Sequence, residues 1–302
     1  MSPAVGGDPP SDPAARGAWR RPWLARLAFY PIALLGGLPL VLSEVLIRGS
    51  SRPASPPPPG YAEGRVVSEG LRLRTWRASG SGDRPAVVVV HGLGDTLESY
   101  VDRADVLRRR GHAVLLLDLR AHGASEGRYT TLGGREREDV RAAMAAMREG
   151  GGAAKGFVLL GHSMGAVAVL RAAASEDDVR AVVAEAPYDT YRATVTHHAW
   201  LLYRMPSWFP VIPLTVALAE WRAGFDADEV DAVAASAAFR APLLAIVDGD
   251  DPRMPVDVVR RIVEAHPGPS RLWVAAGVPH VGAVLHPDYW PTVLSFLESA
   301  GV

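Results

Sequence analysis

Gly161-His162-Ser163-Met164-Gly165 is the stretch of this 302-residue chain whose residue types and spacing point most directly to chemistry. The apolar run Phe157 to Leu160 precedes it, and apolar residues at helical spacing follow from Ala166 to Ala174. A strand that turns sharply into a helix leaves no room for side chains beside the turn, hence Gly161 and Gly165. The same turn lifts Ser163 above the sheet. Its hydroxyl is then a candidate nucleophile at a helix N-terminus, where backbone N–H groups can stabilise a developing oxyanion. Serine needs a base, and the base needs an orienting group. Among nine histidines, His280 is the candidate base, because it lies in the loop Gly277 to Gly282 between a last strand at Leu272 to Val274 and a helix near Tyr289 to Leu297. His91, His122 and His162 read as turn-shaping, and His112, His197, His198, His266 and His286 as surface or packing residues. For the acid, the apolar strand Leu243 to Val247 delivers Asp248, Asp250 and Asp251 to its C-terminal end, where α/β sheets place their sites. The chain order Ser, Asp, His is the order expected of a triad on such a sheet. The oxyanion donors are expected to be the N–H of Met164 and, from His91-Gly92-Leu93-Gly94 after the strand Ala86 to Val90, the N–H of Leu93. Three close aspartates are also a divalent-cation pattern. No second carboxylate cluster accompanies them, so neither metal nor cofactor is expected.

These residues require elements to hold them. Short continuous apolar runs at Ala86 to Val90, Ala113 to Leu117, Phe157 to Leu160, Val179 to Ala184 and Leu243 to Val247 suit buried parallel strands. Val66 to Trp76 alternates and suits one or two edge strands. Helical spacing at Tyr100 to Arg110, Arg135 to Arg148 and Ala166 to Ala174 lies between them. The alternation predicts a doubly wound, mostly parallel α/β sheet with helices on both faces.

The first fifth of the chain differs in kind. It holds 12 of the 25 prolines within residues 1–60. Residues 1–22 are expected to be a disordered tail. Leu27 to Ser43 carries no charge, and extended past Glu44 to Ile47 it covers roughly 31 Å as a helix, about a hydrocarbon core. A single transmembrane helix is therefore expected over 23–47, with the globular part on the non-cytoplasmic side from a slight arginine excess before the span. Residues 48–62, with Pro56 to Pro59, are expected to be an extended linker to a domain over 63–302.

Composition excludes whole classes. Zero cysteines exclude disulfides, thiolate metal sites and a cysteine nucleophile. Lys+Arg 32 against Asp+Glu 33 provides no basic excess for phosphates, so nucleic acid is not an expected partner. Lys155 is the sole lysine. Gly92-x-Gly94 lacks the third glycine and the downstream acid of a dinucleotide fingerprint.

Together, His91-Gly92, Asp118-Leu119-Arg120-Ala121-His122-Gly123-Ala124-Ser125, Gly161 to Gly165 and the Asp and His loops resemble the α/β-hydrolase superfamily over residues 63–302. The likeness is to bacterial serine hydrolases related to monoacylglycerol lipases, S33 and S9 peptidases and esterases. It implies a helical cap at about 188–240, rich in apolar residues such as Trp200, Leu201 and Trp208. In such relatives the acid stands four residues before a proline, as Asp251 does before Pro255, with a glycine three residues before the acid. Here Gly249 is two before Asp251, which keeps Asp250 as an alternative. The resemblance further implies Ser163, Asp251 and His280 as a triad forming an acyl-serine, acting on an ester with an apolar or lipid-like acyl group. Peptide and thioester substrates are alternatives on the same triad; a catalytically silent, membrane-bound interaction domain is the alternative of another class.

Overall fold

The computed structural model describes Tyr30 and residues 33–302. Eight strands form one sheet: β1 (Ala62–Ser68), β2 (Leu71–Ala78), β3 (Ala86–Val90), β4 (Val114–Leu117), β5 (Phe157–His162), β6 (Val179–Glu185), β7 (Leu243–Asp248) and β8 (Ser270–Ala275). Their spatial order is β8-β7-β6-β5-β3-β4-β2-β1. From β8 to β4 every pairing is parallel; β1 and β2 pair antiparallel, as do β2 and β4. The alternating stretch expected as one or two edge strands is a β1–β2 hairpin, whose two turn residues Glu69 and Gly70 both have positive φ (46° and 83°). That backbone twist matches the twist of the flanking strands.

The central strands are apolar at every position because both faces are covered. In β3, Val88 and Val90 enter the core on one side, with Val140 and Met144 of α3 (Glu136–Glu149) and Val167 of α4 (Met164–Ala173). Val87 and Val89 enter the other core, with Leu107 of α2 (Val101–Arg108) and Val293 and Phe296 of α9 (Tyr289–Ser299). Period-two alternation thus feeds two cores from one strand. The sheet is doubly wound and mostly parallel, as expected. Chain order reverses between β3 and β5, which opens a crevice at their C-terminal ends.

The segment between β6 and β7 forms the expected helical insertion, with α5 (Tyr191–Tyr203), α6 (Val211–Ala223) and the short α7 (Ala232–Ala237). Helix α5 is capped by Thr190, whose side chain accepts from the Ala193 N–H. Helix α8 (Val256–Ala265) follows β7.

The described residues do not show the expected N-terminal span. No helix among the described residues is long and apolar enough to cross a membrane. Residues 33–47 of the expected span form a π-helical turn, Ala33–Gly37, and a ten-residue helix α1 (Leu38–Ile47). Ten residues rise about 15 Å, half a hydrocarbon core. Helix α1 is instead built into the globular fold. Ser43 and Ile47 are fully buried, and Arg222 of α6 pairs with Glu44 and bonds Ser43 Oγ at 3.0 Å. The charge at Glu44 therefore has a partner on the cap. Residues 23–29, 31 and 32 of that expectation, and the expected tail 1–22, lie outside the described residues. The proline-rich segment is extended but is not a free spacer. Ser50 and Ser51 pair with His122 and Gly123, Arg52 N donates to Gly123 O at 2.8 Å, and Ser55 O accepts from Arg74.

Candidate active site

Ser163 stands between β5 and α4 with φ 51° and ψ −115°, a conformation that costs a non-glycine residue about 1–3 kcal/mol. The surrounding packing enforces it. A Cβ on Gly161 would lie 2.3 Å from Gly165 O, and one on Gly165 would lie 2.5 Å from His91 O. Both glycines are therefore demanded by backbone approaching backbone, as the spacing predicts. Ser163 N donates to Glu185 O at 2.7 Å and Ser163 O accepts from Val167 N, which ties the turn to β6 and to its own helix. Beneath it, the buried Glu185 carboxylate meets Arg103 at 3.4 Å and the Tyr289 hydroxyl.

The candidate base and its candidate orienter come from the loops after β8 and β7. His280 Nδ1 lies 2.6 Å from Asp251 Oδ2. With Nδ1 donating there, Nε2 is left to take a proton. Asp251 is buried, and its other oxygen accepts from Arg253 N at 2.8 Å. Burial pushes its carboxyl up, but the His280 imidazole and the Arg253 and Met254 amides outweigh burial and hold it below its ordinary value. The alternative acid, Asp250, is exposed and does not reach the imidazole. Asp248 plays a third part that the sequence reading did not distinguish. Its two oxygens accept from Val281 N at 3.0 Å and Ala283 N at 2.6 Å, so it clamps the backbone on the C-terminal side of His280. Asp248, Asp251 and His280 have ligand atoms within 4.8 Å of one another, close enough for a cation. All four carboxylate oxygens, however, already accept from N–H groups. This donor set is committed to holding an imidazole.

Ser163 and His280 meet at one pocket of about 300 Å³. No hydrogen bond joins them, the looseness common to unliganded triads. Leu93 and Met164 line the same pocket, and neither backbone N–H has a backbone acceptor. They remain the candidate oxyanion donors. Gly92 is required where it stands, since a Cβ would lie 2.9 Å from the His162 ring. His91 fixes this loop: its Nε2 accepts from Leu119 N at 3.0 Å, so Nδ1 donates to Gly92 O at 2.7 Å. Burial, and then the neighbouring His122, push His91 down to about 3. His162 is buried against the His280 ring, centroids 5.4 Å apart, and burial followed by His280 pushes it to about 3 as well. Both are neutral packing groups, consistent with a turn-shaping part.

The rest of the pocket is mostly apolar, with Val195, Ala199 and Leu202 from α5, Ile212 from α6, and Leu42 and Leu46 from α1. His198, read as a surface or packing residue, also lines it, as does Arg253. Sequence signals for these two were absent, because the cap helix that carries His198 has to be folded over the sheet before its inner face exists.

The segment 82–237, 156 of the 302 residues, matches the Hydrolase_4 family, described as serine aminopeptidase, S33. The uncharacterized protein YqkD of Bacillus subtilis is 27% identical over 217 residues, covering 70% of this chain and 71% of its own. The uncharacterized protein Rv2307c of Mycobacterium tuberculosis is 28% identical over 220 residues, covering 71% and 70%. The Pyrococcus furiosus esterase Pf2001 superposes with a TM-score of 0.66 at 23% identity, over 84% of this chain and 98% of that one. Acetyl xylan esterase 1 from Thermoanaerobacterium gives 0.62 at 16% identity, over 82% and 86%. At these identities the structural neighbours speak for the fold. A sharp strand-to-helix turn carrying serine, the reversal between β3 and β5 and the family match converge: the chain belongs to the serine aminopeptidase S33 (Hydrolase_4) family, on the α/β-hydrolase fold.

Proposed function

We propose that the protein is a serine carboxylesterase acting on esters with an apolar acyl chain. The observation that carries this reading is a pocket of about 300 Å³ with a mostly apolar lining that holds Ser163 and His280 among a few polar groups. Ligand sites of this scale are mostly apolar with a few placed polar groups. In the proposed reaction Ser163 Oγ attacks the ester carbonyl as its proton passes to His280 Nε2. The oxyanion is received by the Leu93 and Met164 N–H groups. Collapse expels the alcohol, which takes the proton from the imidazole, and leaves an acyl-serine. Water, deprotonated by the same nitrogen, attacks the acyl-serine and restores Ser163 as the acid leaves. Asp251 holds the imidazole tautomer and offsets its transient charge throughout.

The family's description raises aminopeptidase activity as the second reading, and the pocket lining weighs against it. A free α-ammonium group needs an anionic partner when desolvated. None of the described residues lining this pocket is acidic, and Arg253 would repel a cation. Labelling with a fluorophosphonate, together with hydrolysis of p-nitrophenyl esters and of aminoacyl-p-nitroanilides, tests the proposal. Labelling and ester cleavage that both vanish in Ser163→Ala are expected. A folded wild-type protein that neither labels nor cleaves would turn the reading to a catalytically silent binding domain.

A further inference from the structure

Helix α1 carries more apolar surface than its contact with the cap uses. Pro39, Ser43 and Ile47, at i, i+4 and i+8, form its buried stripe. Leu42, Val45 and Leu46 form a neighbouring stripe, and all three line the pocket that holds Ser163 and His280. Residues spaced i, i+3 and i+4 share one helical face, so this is a continuous wall. The helix is held there at several points. The Arg222 guanidinium spans the Leu40 carbonyl, Ser43 Oγ and Glu44. Ile47 O accepts from Thr130 N at 2.9 Å, and Arg48 bridges Tyr129. Gly49 packs so closely on Ala121 that a Cβ would lie 2.0 Å from its carbonyl oxygen. The strand of chain that receives α1 also touches the reaction centre, since Thr130 Oγ1 lies 3.2 Å from Met164 Sδ.

The geometry points to α1 as a third wall of the substrate pocket, with Leu42, Val45 and Leu46 setting the length and bulk of the apolar chain that the ester carries. This rests on the ester-hydrolase reading above. The apolar character of residues 38–47 then serves substrate selection on one face and docking on the cap with another. Helices α5 and α6 of the cap also line the pocket, so the chain would be enclosed between the cap and a segment that precedes the sheet domain in sequence.

The test uses the full-length chain and p-nitrophenyl esters from acetate to dodecanoate, alongside alkyl butyrates of increasing alcohol length. Fluorophosphonate labelling of Ser163 is measured first. Leu46→Trp, and Val45→Trp as a more exposed position that tolerates bulk, are expected to lower kcat/KM for the longest chains in one series about tenfold or more, with acetate within about twofold. Val41→Trp, on the outer face of the same helix, is expected to leave the profile unchanged. Arg222→Ala, which releases the helix, is expected to flatten chain-length selectivity while labelling persists. A wild type that fails to label overturns the hydrolase reading itself. Intact labelling, with both tryptophan variants folded and both chain-length profiles unmoved, overturns the assignment of α1 while leaving that reading in place.

Discussion

Asp248→Asn isolates the clamp on the histidine loop from the triad itself. The wild-type carboxylate uses one oxygen for Ala283 N at 2.6 Å and the other for Val281 N at 3.0 Å. Asparagine has the same shape but one carbonyl oxygen, so one of the two N–H groups must face an NH2 donor. A hydrogen bond to a charged acceptor contributes about 1.5–3 kcal/mol, and an unsatisfied buried donor costs about 1–3 kcal/mol. Relaxation recovers part of this, so a loss of about 2–4 kcal/mol in unfolding free energy is expected. The affected residues follow His280 directly, so the imidazole should lose its orientation toward Ser163. Misplacement by about 1 Å can cost roughly a hundredfold in rate, and kcat is expected to fall about 10- to 100-fold. Urea unfolding gives the first quantity, and p-nitrophenyl butyrate turnover with fluorophosphonate labelling rates gives the second. Asp248→Ala, which leaves both N–H groups without an acceptor, should cost more than Asp248→Asn. A change below about 0.5 kcal/mol together with kcat within twofold would refute the clamp.

Exchange of the acid candidates should separate them: Asp251→Asn is expected to lower kcat by about 10³–10⁴ on the same ester, as loss of a triad orienter does, whereas Asp250→Asn stays within about twofold. The reverse ranking would reassign the acid. Gly165→Ala drives a Cβ to 2.5 Å from His91 O and 2.7 Å from Val90 O, and thermal unfolding should show a loss of several times the cost of Gly94→Ala, where nothing lies within 4 Å of the new Cβ and only the positive φ of 78° is strained. Equal losses would mean that the turn can open at little cost. For pH, His91 and His162 are held near 3 in the folded protein against about 6.5 unfolded, so the unfolded chain binds more protons in that window and stability is lost as pH falls through it. Each contributes a limiting slope of about 1.4 kcal/mol per pH unit. The carboxyls of Asp118, Asp139, Glu185 and Asp248, raised chiefly by burial, act in the opposite sense from the ordinary carboxylate range upward, so the histidine slope is read between pH 7 and 5.5, around the unfolded imidazole value. Urea midpoints that stay level across that range would contradict two buried neutral imidazoles.

The sheet and its turn were legible because their signals are local. Ala86–Val90 is apolar at all five positions since both its faces are covered, and a run of valines states that without reference to any other element. Gly161 and Gly165 state a sharp turn because backbone passes within contact distance of both, and only glycine survives there. Ser163 and His280 followed from these and from chain order. Asp248, Asp250 and Asp251 look alike in sequence, three carboxylates at one strand end. Whether each is a clamp, a solvent-facing group or an orienter depends on which N–H groups the loop after β8 brings to it, some thirty residues away. Residues 38–47 show the same limit more sharply. A run of apolar residues measures how much surface must leave water but not what will cover it, and here the cap supplies Arg222 for Glu44 and a cavity for Leu42 and Leu46. Composition and local spacing thus determined the fold class and the nucleophile's turn. Long-range packing decided which acid meets the imidazole and where the N-terminal apolar helix lies, because burial and hydrogen-bond partnership belong to pairs of segments.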